Sequence, residues 1–579
     1  MERRLLIVFA LTFLVIMLFQ PLLKKYGPQP PAKPADSQAQ NQAPAPSEAP
    51  AQLPAQGAST TGTKAAPATA PLQASTESET VIENEVYRIV FTNRGARVKS
   101  WVLKKYTDDK GGQLELVNAT AAEKYGYPLT LWTYDEPLRN KLNSVLYVTP
   151  TPPPSARKDG ASPPDEIKFA YSDGDVSVEK TYTFDHSSYV VGVKTAVQVK
   201  GAPVASFPMW AAGFGADSTG AQYALGQIVY QNDDKVERLT IKKISGGGTL
   251  PGPFHWAGVS DQYFAAIFVP QDPRSAALVT LRNAIEIPHP GSDTKQMDKV
   301  DVLGAAVGSL KGATDARLYV GPKALSDLEA VPVPGITGAE PDLRAVVDFG
   351  WLGIIARPLF LWLKWMYAHI VPNWGWAILL QTLVINLTLL PLRLTQMKSM
   401  LKMQRVAPQI KVIQEKYKKY SLRDPRKAEM NQEISALYKQ EGVNPAGGCL
   451  PLLIQMPFLF AYYRMLNVAM DLRHAPWLWI HDLSAPDPWH ILPVAIIITM
   501  LVLQRMTPQA GMDPAQQKML NIMMPGMLGL MSWNLPAGLG LYWSAGQLIG
   551  IVQQSVMNRT RLGREMREMM EKRARKKEK

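Results

Sequence analysis

Residues 444–466 read NPAGGCLPLLIQMPFLFAYYRML, and the way this stretch can be housed decides the fold. It opens on turn residues, Asn444-Pro445 and Gly447-Gly448, then runs on as a long apolar segment that holds Pro451, Gln455 and Pro457. A helix in a soluble core tolerates two internal prolines badly, because each removes a backbone hydrogen bond and crowds the preceding turn. A membrane helix tolerates them where neighbouring helices take up the freed backbone groups. Gln455 is costly against lipid, so it should face protein or water. The stretch reads as one wall of a helical bundle with a polar interior.

Outward from this wall, apolar runs cluster at 5–23 and 350–556, and the rest of the 579 residues is polar. The net charge is +13, with basic residues gathered at 398–439 and 559–577. Such clusters point to anionic lipid or nucleic acid as a partner. The single cysteine, Cys449, allows no intramolecular disulfide and no cysteine-based metal cluster.

The N-terminal run Leu5–Leu23 follows Met1-Glu-Arg-Arg and is long enough to span a bilayer. A cleaved signal peptide is the alternative, but no small-x-small site follows, so 1–25 reads as an uncleaved anchor. Residues 26–77 are rich in Pro, Ala, Gln, Ser and Thr and should form a disordered tether. From 78 to 335 the texture changes. Val86–Phe91, Arg97–Val102, Val178–Phe184 and Tyr189–Thr195 alternate apolar with polar between Gly, Asp and Asn turns. That is the pattern of a large antiparallel β sandwich. Asp185 and the pair Asp233-Asp234 read as solvated turn residues.

Residues 342–370 are apolar but interrupted by Arg357, Pro358 and Lys364. They suggest an amphipathic helix lying in the membrane interface. Six spans then follow from length and hydropathy: 5–23, 374–394, 448–468, 489–506, 517–533 and 538–556. With the N-terminus inside, the β domain lies outside, while the basic stretch 395–443 and the basic tail 557–579 lie in the cytoplasm. A seventh span at 351–370 would put both basic clusters outside. Ile410, Ile413, Tyr417 and Tyr420, and then Met430, Ile434 and Leu437, recur at helical spacing on either side of Asp424-Pro425. Residues 395–443 therefore read as a helical hairpin. Its Lys411, Lys416, Lys418, Lys419 and Arg423 suit a solvated face attracted to anionic lipid, or a contact with the ribosome.

Polar side chains recur within the spans: Thr382 and Asn386 one helical turn apart, Gln455, Asn521, and Trp543 with Gln547 and Gln554. Either they tie a closed bundle together, or they line a wet recess open to the cytoplasm. Gly546 and Gly550 form a small-xxx-small pair whose expected role is packing. No Walker A, HExxH or Ser/His/Asp arrangement appears, and no cofactor is expected. A secondary transporter would want intramembrane acids, and these spans carry none. A membrane-anchored glycan-binding protein or enzyme using the β domain remains a rival; as an enzyme it would need paired carboxylates.

The motifs NPAGGCLPLLIQMPFLFAYY, LWIHDLSAPDP and GLGLYW, in this order, resemble the YidC membrane protein insertase family over residues 343–560. The anchor, tether and β domain resemble its Gram-negative inner-membrane form. The resemblance implies a periplasmic β supersandwich beside an α-helical transmembrane bundle of six spans, five of them in the core. It implies a non-enzymatic insertase and chaperone that takes nascent membrane proteins from the ribosome and works alone or with the SecYEG translocon. It also implies a hydrophilic substrate groove that includes Thr382, Tyr542 and Trp543. The family's groove carries a basic residue five positions before a proline, here Pro391. Asn386 stands at that position, so this sequence offers a neutral amide where the resemblance implies a charge.

Overall fold

Strand Val176–Phe184 buries Val176, Val178, Lys180 and Tyr182 and turns the residues between them outward, the period of two that a pleated, one-sided strand imposes. The computed structural model describes residues 71–149, 166–216, 220–233, 235–244, 246–289, 297–335, 342–420, 424–443, 450–506, 519–560 and 564. The N-terminal anchor, most of the tether, Arg423, the 444–449 turn with Cys449, and nearly all of the basic tail lie outside them. The tether ends earlier than its composition suggests. Leu72 pairs with Ser172 in an antiparallel bridge, with N–H to O of 2.7 Å, and Ala74 N donates to Leu146 O. The polar stretch before 78 thus already belongs to the β domain.

Three antiparallel sheets build that domain. The largest runs Lys235–Thr240, Gln227–Asn232, Trp256–Ser260, Phe264–Pro270, Thr314–Pro322, Val190–Val199, Val176–Phe184 and Glu166–Ser172 from edge to edge. A five-stranded sheet centres on the long pair Ala276–Pro288 and Met297–Ser309. A four-stranded sheet carries Tyr87–Thr92 against Arg97–Thr107. Aromatic side chains fill the space between: Phe91 lies 5.1 Å from Tyr182, and Trp101 lies 6.0 Å edge-on from Trp210. Buried aromatics of this size contribute most of such a core's apolar area.

Eight helices follow among the described residues outside the β domain: α1 (Gly353–His369), α2 (Trp374–Thr388), α3 (Leu390–Lys416), α4 (Arg426–Gln440), α5 (Leu450–Val468), α6 (Ile491–Met506), α7 (Met524–Met531) and α8 (Ala537–Arg559). A π-helical turn, Met519–Met523, leads into α7. The first of these, α1, buries Ala356, Leu359, Phe360, Leu363 and Met366 while exposing Ile354, Leu361 and Trp365. The apolar run expected to end at 394 is broken at Leu389. Pro391 has no N–H to continue the ladder to Leu387, so α2 closes and α3 starts as a separate rod. The break leaves α2 at 15 residues. Among the described residues, no helix is long and apolar enough by itself to cross a membrane. The hairpin expected at 395–443 corresponds to α3 and α4, with Val406, Ile410 and Val443 buried between them.

The β domain rests on the loop between α5 and α6. Arg473 is nearly fully buried, donates to Thr107 O at 3.1 Å and pairs with Asp109 at 2.9 Å. His474 lies 3.4 Å from the same carboxylate. Gln262 Nε2 donates to Asn467 O, at the end of α5. Arg464 on α5 pairs with Asp348 at 2.9 Å.

Candidate functional site

The polar residues of α2 form a buried seam. Gln381 and Thr382 are fully buried, and Asn386 is 7% exposed. Thr382 Oγ1 donates to Ile378 O at 2.6 Å, and Asn386 Nδ2 donates to Thr382 O at 2.8 Å. Both side chains thus satisfy one polar group on their own helix, as an apolar surrounding demands. Gln381 reaches across the bundle: its Nε2 donates to Leu359 O on α1, and its Oε1 accepts from Tyr462 OH on α5. Tyr462 in turn stacks on Tyr542 of α8, with centroids 4.0 Å apart and planes 11° from parallel.

Toward the other end of α2 the seam gains a charge. Arg393, in the first turn of α3, donates through Nη2 to Asn386 Oδ1 at 3.0 Å. Its Nη1 donates to Gln553 Oε1 of α8 at 2.6 Å, and Gln553 Nε2 donates to Asn386 O at 3.3 Å. By its place at the end of a span this arginine should be an interface anchor, yet it is half-buried and turned inward. Two glycines of α8 leave the room. A Cβ at Gly546 would meet Asn386 Nδ2 and Thr382 Cγ2 at 3.8 Å, and one at Gly550 would meet Arg393 Nη1 at 3.2 Å. The small-xxx-small pair therefore accommodates polar side chains of α2 and α3 as well as close helix packing.

Of the residues the sequence singles out, Thr382, Asn386 and Tyr542 lie on this seam. Trp543 is half-buried on the same helix as Tyr542. Gln547 is half-buried, and its amide oxygen is enclosed with no protein partner among the described residues. Gln455 is exposed on α5 and does not join the hydrogen-bonded seam. An all-apolar helix gives no periodicity by which to choose its face. Gln381, Arg393, Tyr462 and Gln553 were not singled out as site residues. The first could have been found as an amide inside an apolar run, the second only from the break at Leu389. On the hairpin, Lys411, Lys418 and Lys419 are exposed, while Lys416 pairs with Glu433 at 2.8 Å.

Comparison with known proteins agrees with this two-part layout. Residues 79–362 match the YidC periplasmic domain, and residues 365–564 match the 60Kd inner membrane protein. The "Membrane protein insertase YidC" of Cupriavidus taiwanensis is 36% identical over 426 residues, 72% of each chain. The chain belongs to the YidC membrane protein insertase family. Its likeness to the Bordetella avium member is 31% over 494 residues, 83% of each chain. A solved YidC insertase with its first transmembrane domain resolved covers 85% of this chain and 95% of its own, at 20% identity and a TM-score of 0.35. The two family models between them cover both the β domain and the helical bundle of this chain.

Proposed function

We propose that this chain inserts nascent proteins into the inner membrane through a polar recess lined by α2, α5 and α8. Six spans, with both termini in the cytoplasm and the β domain in the periplasm, put the hairpin of α3 and α4 on the ribosome's side of the membrane. An apolar segment of the substrate slides along α2 and α5 into lipid, and burial of its apolar surface drives the step. Its polar flank crosses half-way inside the recess, where amide and hydroxyl groups replace part of its hydration. No nucleotide is hydrolysed. The exposed lysines of the hairpin serve the ribosome or anionic lipid, and the SecYEG translocon is a partner for part of the substrate set.

One observation carries this reading. The bundle keeps a seam of polar groups in its interior, and the enclosed amide oxygen of Gln547 lacks a protein partner among the described residues. A buried acceptor of this kind calls for water or for a group brought by a ligand. The test is site-specific photo-crosslinking at Gln455, Trp543 and Gln547 during synthesis of a single-span substrate. Crosslinks to the nascent segment at all three positions are expected. Crosslinks to lipid alone would remove the recess from the mechanism.

A further inference from the structure

A cavity of about 790 Å³ opens where the β domain meets α1. Arg238, on the edge strand Lys235–Thr240, and Arg357, in α1, both line it. Among the described residues, Asp348 is the one carboxylate in its lining. Both oxygens of that carboxylate are engaged: Oδ2 accepts from Arg464 at 2.9 Å, and Oδ1 accepts from Gly350 N at 2.8 Å. Arg238 donates through Nη2 to Ala345 O at 2.6 Å, and its Nε is enclosed without an acceptor. No carboxylate pairs with Arg238 among the described residues. Positive charge therefore exceeds negative along this wall.

Beside the two guanidinium groups the surface turns apolar. Trp351 and Ile354 are each 84% exposed, Leu361 is 49% and Trp365 51%. Ile354, Arg357, Leu361 and Trp365 follow one another at steps of three and four, so they share one face of α1. Phosphate beside hydrocarbon is the order in which a phospholipid presents itself. Guanidinium forks suit its phosphodiester, and tryptophans settle at the level of its headgroups.

We propose that this cavity binds the phosphate of an anionic phospholipid, with the headgroup between Arg238 and Arg357 and the acyl chains along Ile354, Leu361 and Trp365. The β domain is thereby seated on the bilayer through a lipid as well as through the loop between α5 and α6. The leaflet concerned rests on the proposed topology.

The experiment uses the full-length protein in nanodiscs of phosphatidylcholine containing a minority of phosphatidylglycerol, a trace of which is photoreactive close to the headgroup. Mass spectrometry then gives the ratio of label on α1 to label on α6, whose exposed Val494, Ile498 and Val502 report ordinary lipid contact. This ratio should exceed the one found with photoreactive phosphatidylcholine. Arg238→Gln should lower it roughly fivefold, the scale of one basic side chain facing anionic headgroups. Arg238→Lys, which keeps the charge but not the fork, should lower it less. Arg357→Gln should lower it as far, and because it leaves the bond to Ala345 in place, its fall cannot come from a loosened β domain. Soluble glycerophosphoglycerol, which has no acyl chains, should not displace the label. If Arg357→Gln leaves the ratio unchanged, or both lipids give the same ratio, the arginines select no lipid and the proposal falls. Displacement by the soluble diester would overturn it too. If the unaltered protein takes label on neither helix, the membrane placement of the bundle fails, and the site with it.

Discussion

Lys180 shows what one residue on the wrong side of a strand costs and how it is accommodated. The period of two places it on the buried face between Val178 and Tyr182, and it is fully buried. Its ammonium donates to the carbonyls of Gly95, Ala96 and Leu129 at 2.7, 3.3 and 3.1 Å. Burial, helped by the Arg97 guanidinium, pushes it down to about 7 from an ordinary value of 10.5. Between those two pH values the unfolded chain binds a proton at this site that the folded domain tends to release. The contribution of Lys180 to stability is therefore greatest above 10.5 and is lost as pH falls through 7. Buried Lys323, lowered to about 8, has the same sign. The expected outcome is that the rise in thermal midpoint from pH 7 to pH 10 shrinks in Lys180→Met but does not vanish. An unchanged rise would show that the three carbonyls hold the ammonium charged.

Single elements depend on groups outside them. Helix α6 starts under Asp487, which is 2% exposed and accepts from Leu492 N at 2.8 Å, Trp489 N at 3.1 Å and Trp479 Nε1 at 3.0 Å. Asp487→Ala strands the Leu492 N–H in the first turn of α6, the Trp489 N–H just before it and the Trp479 indole N–H in the preceding loop. A loss of about 2–3 kcal/mol is expected, the range for unmade bonds to a charged acceptor. The check is a lower thermal midpoint in detergent, with Asp487→Asn recovering part of it. At this scale the sequence was legible where a pattern is local. The alternation in Tyr87–Thr92 and Val176–Phe184, the apolar spacing of the hairpin and the lengths near 450–468 all announced their elements. The division of 374–394 at Leu389 was not legible, since hydropathy runs straight through Pro391. The inward turn of Arg393 depends on that break and was hidden with it. Gln455 is exposed on α5 and outside the hydrogen-bonded seam, and nothing in a uniformly apolar helix says which side an amide faces.

Across the whole molecule, the β domain and the bundle meet through very few polar contacts. Among the described residues Arg473 makes two of them, to Thr107 and Asp109, with His474 beside it on the same two residues, while its guanidinium lies 5.7 Å from the ring centre of Tyr263 and 5.6 Å from that of Phe264. Around it is a cavity of about 840 Å³ lined by Asp108, Gln262, His481 and Asn534, among others. The Arg473 side chain is 6% exposed but Asp109 is 51% exposed, so the ion pair itself counts for little, and losing the arginine mainly removes its bond to the Thr107 carbonyl and its packing on Tyr263 and Phe264. Arg473→Ala is expected to loosen the β domain from the bundle without unfolding either. Limited proteolysis should then release the β domain as a fragment faster, while insertion of a short-tailed substrate continues. The pairing itself, between residues 364 positions apart, left no trace in the sequence, as contacts across that distance have no period.

The rod that begins at Leu390 has 27 residues, so it is about 40 Å long at 1.5 Å per residue. Arg393 rides close to its fixed end, and Lys416 marks the far one. Swinging the rod by about 10° would carry the tip through roughly 7 Å and the guanidinium through only about 1 Å, by the same rise per residue. A displacement of that size at the tip of the hairpin would leave the charge in register with Asn386, as the hub of a wheel stays put while the rim travels.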